Sequence, residues 1–192
     1  MAMVVLLTAS GKHDAGLVVL LCYCGLLRIG EALGLRRSDV VFGSGSLVLL
    51  LSRTKTGEHQ RVVLNNPAVA LFVQRFLAAA PRGPDEKMCK ITYSSFRTWF
   101  SRVAAVLGGG GHQFRSHSMR RGAATSLFTA GVPFPEIMFL GRWSSESSCR
   151  LYVRSAEAAM ISIERGLSPS QVARVRTLAS IGPQIFELLP GP

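Results

Sequence analysis

The sequence predicts a mainly α-helical domain carrying one small three-stranded antiparallel sheet. Three observations predict it. Apolar residues recur at helical spacing over most of the chain, in segments opened by Asp14, Pro67, Pro135 or Ser168-Pro169 and closed at Gly25 or Gly182-Pro183. Between residues 39 and 64 the period changes, and two glycine-containing turns separate three short β-rich runs. Residues 17–24 are apolar on nearly every side, as expected of a helix at the centre of a core.

In order, the opening MAMVVLLTASG is apolar but lacks the basic start of a secretory signal. Asp14 is expected to cap the helix over 17–24, and Gly25 to end it. The apolar run over 17–27 is well short of the roughly 20 residues that cross a bilayer, so it reads as core and no membrane partner is expected. LLRIGEALGLRRSDV follows, with Arg28 and Glu31 three apart. Alone, that pair reads as a surface salt bridge on a short amphipathic helix. Residues 39–42, 46–51 and 61–64 are the expected strands. Gly43-Ser44-Gly45 is the first turn, and Thr54-Lys55-Thr56-Gly57 begins the second, with Lys55 at the start of a hairpin tip. Pro67 starts a helix to about residue 79, and residues 81–87 form a loop. Residues 93–107 are helical, with Phe96, Trp99, Phe100 and Val103 on one face as core. Four glycines at 108–111 make a connector. Helices are then expected at 118–130, 135–140 and about 145–154, continuing through 156–165. A last helix carries Val172, Val175 and Leu178, and an apolar end (Ile185, Phe186, Leu188, Leu189) remains.

The chain has 192 residues, 22 Lys and Arg against 11 Asp and Glu, and a formal net charge of +11. A surplus of that size suggests a polyanionic partner, nucleic acid or an anionic membrane face, against the plainer reading of a soluble basic protein. Cys22, Cys24, Cys89 and Cys149 have neither zinc-site nor disulfide-framework spacing and fit an intracellular, reducing setting. His112 and His117 lack the spacing of a helical metal pair, and no Gly-Lys-Ser/Thr follows the glycines. No metal and no cofactor is expected.

The residues fitted for chemistry cluster from His117 to Tyr152. His117 and Arg120 share a helix face. Pro135-Glu136-Ile137-Met138, Gly141-Arg142-Trp143 and Tyr152 follow. Singly, Tyr152 reads as a half-buried helix tyrosine, Trp143 as core and Arg120 as a plain phosphate contact. In order, Arg28…Lys55…His117-x-x-Arg120…Gly141-x-Trp143…Tyr152 resembles the catalytic domain of the tyrosine recombinases, the phage-integrase family. The resemblance covers about residues 14–160. It implies that family's fold, with residues 1–165 as the catalytic domain. Residues 166–192 would be a helical tail that docks on a neighbouring protomer or folds back on its own domain.

It also implies double-stranded DNA as partner, a homotetramer on DNA, and a nuclear location if the source is eukaryotic. The implied reaction is DNA recombination or integration through a covalent 3′-phosphotyrosyl intermediate. Arg28 and Arg120 would grip nonbridging phosphate oxygens, which two guanidiniums do in bidentate fashion. Glu31 would hold Arg28. Tyr152, as a phenol with a pKa near 10, would need a base as it attacks; His117 fills that role. Lys55 would protonate the departing 5′-oxygen, and the Trp143 indole would donate to a phosphate oxygen. Arg53, Arg121 and Arg142 are expected DNA contacts. Arg121 stands where the family often has His, and Arg142 where small or polar residues are common. The helical N-terminal domain usual in the family is expected to be absent. Two other readings share these residues: a type IB topoisomerase-like nicking-closing enzyme, and a domesticated DNA-binding module without turnover. A mobile element such as a Crypton is the expected source.

Overall fold

A computed structural model describes residues 1–54, 57–109, 117–153 and 166–182. Helix α2 (His13–Cys24) is its axis, with Ala15 through Cys22 all buried. A helix apolar on every side can be satisfied only by neighbours on every side. The apolar start of the chain supplies one, as α1 (Ala2–Ala9) packing along α2. The helix begins one turn earlier than the sequence suggests. Its N-cap is Lys12, and Asp14 is free to accept a hydrogen bond at 2.9 Å from the backbone N–H of Lys90, tying a distant loop to the helix start.

After α3 (Ile29–Gly34) comes the antiparallel sheet β1 (Val40–Phe42), β2 (Leu47–Thr54) and β3 (Gly57–Leu64), in that order. The period of two is visible in its burial: Leu47, Leu49, Leu51, Val62 and Leu64 face the core, and Val63 is exposed. Leu47 pairs with Leu64 and Leu49 with Val62, so the register lines up the apolar face of both strands. The ladder runs on to Thr54↔Gly57, further than the apolar runs indicate. The extension is polar in sequence and held by backbone pairing, which leaves no hydrophobic pattern to read. Lys55 and Thr56 lie outside the described residues.

Helix α4 (Pro67–Ala79) starts as expected. Asn66 accepts from the N–H groups of Ala68 and Val69, and Pro67 occupies the first turn. Helix α5 (Tyr93–Ala104), capped by Thr92, buries Phe96, Phe100 and Val103. Trp99 is only partly buried, between the ammonium of Lys12 at 4.4 Å and the guanidinium of Arg102 at 4.9 Å. Residues 105–109 form a wider π-type turn, and residues 110–116 lie outside the described region.

Three further helices build a second, smaller core: α6 (His117–Thr129), α7 (Phe134–Gly141) and α8 (residues 146–153). Gly131, at φ +82°, lets the chain reverse between α6 and α7. The second core holds Ala123, Ala124, Ile137, Cys149 and Val153, and Leu26 from the turn after α2. Cys22, Cys89 and Cys149 are all buried, and burial pushes their thiols up from the ordinary range. Helix α9 (Pro169–Ser180) opens with the expected Ser168 cap and lies against α1 of its own chain. Val172, Val175 and Leu178 are half-buried there. Ile185, Phe186, Leu188 and Leu189 are outside the described residues.

Candidate active site

The site is assembled where α2 stops. Gly25 ends that helix and Leu26 turns at φ +49°. This sends the Leu26 side chain into the second core and leaves its carbonyl oxygen to the arginines of α6 and the α7 end. Two residues on, Arg28 is the N-cap of α3. Its backbone N–H donates to Glu31 Oε2 at 2.8 Å, and its Nη1 donates to Glu31 Oε1 at 2.7 Å. Glu31 thereby caps the helix start and orients the guanidinium with one carboxylate. Its side chain is buried, and it has a third donor: Arg142 Nη2, at 2.8 Å. One carboxylate therefore stands between two guanidiniums.

Arg120 is 2% exposed. From α6 it donates to the carbonyl oxygens of Leu26 and Gly141, binding the end of α2 to the end of α7. Its guanidinium lies 4.3 Å from the centre of the Trp143 ring. Burial, and then the charges of Arg28 and Arg142, pull its pKa down to about 10 against the partial support of Glu31. It remains a cation at neutral pH. The Trp143 ring also covers Gly141 so closely that a Cβ at that position would overlap it. This accounts for the glycine two residues before the tryptophan.

Tyr152 comes in from α8. Its hydroxyl is 3.4 Å from His117 Nδ1. The Trp143 ring is edge-on at 5.5 Å, and the Arg121 guanidinium is 5.2 Å from the ring centre. His117 and Arg121 are one turn apart on α6, so both reach the tyrosine from one helix face. Of the residues singled out in the sequence, Arg28, Glu31, His117, Arg120, Arg121, Trp143 and Tyr152 come together here. Lys55 and the side chain of Arg53 lie outside the described residues. Arg142 comes to the site but turns inward, 9% exposed on its side chain, towards Glu31 and the Leu26 carbonyl at 3.3 Å. The phosphate contact expected of it gives no sign of this inward one.

Beside Arg142 and Trp143, β3 and α7 enclose a cleft of about 670 Å³. It is lined on one side by Gln60, Arg61 and Val63 and on the other by Met138, Phe139 and Leu140. Among the described residues, no three His, Cys, Asp or Glu side chains come together as a metal-ligand set. No helix among them is long and apolar enough to cross a membrane.

Residues 3–159 match the Phage integrase family along their whole length. The chain belongs to that family. Its helices and three-stranded sheet are accordingly the tyrosine recombinase catalytic fold. A related protein, the tyrosine recombinase XerC of Rhodospirillum centenum, is 30% identical over 167 residues. That match takes in 83% of this chain and 47% of the relative, so the chain spans about half the length of the curated relative it matches.

Proposed function

We propose that this domain cleaves and rejoins DNA strands as a site-specific recombinase, with Tyr152 as nucleophile. The observation that carries the reading is the Tyr152 hydroxyl 3.4 Å from His117 Nδ1, beside a group of arginines with a single carboxylate among them. The phenol oxygen attacks the scissile phosphorus and gives its proton to His117. The bond from phosphorus to the 5′-oxygen breaks, and that oxygen leaves as a hydroxyl with a proton from Lys55. Arg28 and Arg120 stabilise the charge on the nonbridging oxygens, with the Trp143 indole as a further donor. Arg53 and Arg121 contact neighbouring phosphates. The phosphotyrosyl ester keeps the energy of the broken diester, so rejoining needs no nucleotide. The free 5′-hydroxyl of a partner strand reverses the step.

The wider reading is a catalytic domain over residues 1–165, acting inside the cell as a tetramer on paired DNA sites. The Pro135-Glu136-Ile137-Met138 run and Gly141-Arg142-Trp143 favour a kinship with Cre recombinase, and a mobile element such as a Crypton is the source proposed. The test is incubation with a nicked suicide duplex, whose short 5′-fragment diffuses away and traps the covalent complex. An adduct followed by strand exchange between two sites is the expected result. Relaxation of supercoils without paired sites would assign a topoisomerase activity instead. DNA binding with no adduct would leave a binding module.

A further inference from the structure

Arg142 carries three costs at one position. Its backbone is left-handed, at φ +57°, at the end of α7, where glycine sits without strain. Its Nε and Nη1 are buried with no hydrogen-bond partner among the described residues. Its guanidinium is taken out of water within reach of the charges of Arg28 and Arg120. Glycine at 142 would remove all three. What the arginine achieves rests on one nitrogen: Nη2 donates to the Leu26 carbonyl at 3.3 Å and, more closely, reaches back 111 residues in sequence to Glu31 Oε2 at 2.8 Å.

That contact changes the electrostatics of Arg28. An isolated Arg28–Glu31 pair is neutral and a poor clamp for a phosphate. With Arg142 on the other carboxylate oxygen, Glu31 is shared, and the trio carries a net +1. Arg120 adds a second charge, and among the described residues its Nη donors go to two carbonyl oxygens and to no carboxylate. The bonded nitrogen of Arg142 points inward, to Glu31 and the Leu26 carbonyl.

We propose that Arg142 is a positioning residue for Arg28: it acts through Glu31, keeping that carboxylate from neutralising the guanidinium that grips the scissile phosphate. The inference rests on the catalytic reading above, but the first arm of its test does not.

In the free protein, ¹⁵N NMR of the Arg28 guanidinium reads the sharing directly. In Arg142→Gly, Glu31 is left to Arg28 alone, so the Arg28 Nη signals shift and their proton exchange slows. Unchanged Arg28 signals overturn the proposal whether or not the domain cleaves DNA. The second arm uses single-turnover cleavage of the suicide duplex at saturating DNA. Arg142→Gly keeps its melting temperature and DNA affinity but is slowed roughly 10- to 100-fold, by analogy with residues that orient metal ligands from behind. Arg142→Lys, which returns the charge, recovers part of the rate. In a Glu31→Gln background, Arg142→Gly costs under about threefold more, because the two residues act as one unit. Losses that multiply in the double variant, or weaker binding with a reduced salt slope, would show Arg142 touching phosphate on its own account and overturn the proposal.

Discussion

Arg120 has two jobs in this site that pull in different directions. It is the buried link between Leu26 and Gly141, and it is the charge proposed to meet the phosphate. Arg120→Ala therefore removes more than chemistry. Leaving two buried carbonyls unpaired, together with the cavity, is expected to destabilise the fold by about 3 kcal/mol. A chemical-denaturation curve measures this, and a loss below about 1 kcal/mol would mean the link is slack. Burial of this cation is a cost present in full below pH about 10, where it is charged both folded and unfolded. As pH rises beyond that, the unfolded chain holds the proton more tightly. Stability of the native protein relative to Arg120→Leu should then increase over that window. Tyr152→Phe is the contrasting case. The half-exposed hydroxyl is removed and the ring stays beside Trp143 and Arg121, so stability should change by less than about 1 kcal/mol while the covalent species disappears.

At the scale of elements, what the sequence shows well is whatever has a local pattern. The i, i+3 spacing of His117 and Arg120, the Ser168 and Pro67 starts and the alternating burial of β2 all follow from neighbours along the chain. The polar half of β3 does not, because backbone pairing leaves no mark on hydropathy. The Glu31–Arg142 contact does not either. It spans 111 residues and depends on a left-handed turn at the α7 end that no local rule assigns to arginine. The phosphate contact expected of Arg142 gives no hint of this inward one for that reason. Two elements carry predictions. The β2–β3 hairpin bears Lys55, and Lys55→Ala should slow cleavage much less when sulfur replaces the leaving 5′-oxygen, since a thiolate departs without a proton donor. Equal slowing on both substrates would remove the general acid from Lys55. Helix α9 rests on α1 of its own chain, so two truncations separate its roles. Removing residues 168–192 uncovers α1 and should lower the melting temperature. Removing only 183–192 should leave folding intact and weaken assembly on DNA, as size-exclusion chromatography of the DNA complex would show. Intact assembly would take the tail out of the protomer contact.

The whole molecule is a strongly basic body, with 22 cationic side chains against 11 acidic ones. DNA affinity should fall with salt at a log–log slope of about −0.9 per phosphate neutralised. A flat salt dependence would be inconsistent with a phosphate-gripping surface. The fold places the chemistry at the junction of two cores. Leu26 follows the central helix of one in sequence and packs in the other, and its carbonyl accepts from Arg120 and Arg142, which the helices of the second core bring in. A perturbation of either core is therefore expected to reach the site. The central claim is narrower: of Tyr23, Tyr93 and Tyr152, only Tyr152 stands beside His117 and the arginines. Trapping the domain on a suicide duplex, digesting the complex with nuclease and trypsin, and sequencing the nucleotide-bearing peptide by mass spectrometry tests that claim directly. Trypsin cuts after Arg150 and Arg154, so the modified peptide should be residues 151–154, with the phosphate on Tyr152. A nucleotide on a peptide holding Tyr23 or Tyr93, or an adduct that persists in Tyr152→Phe, would contradict it.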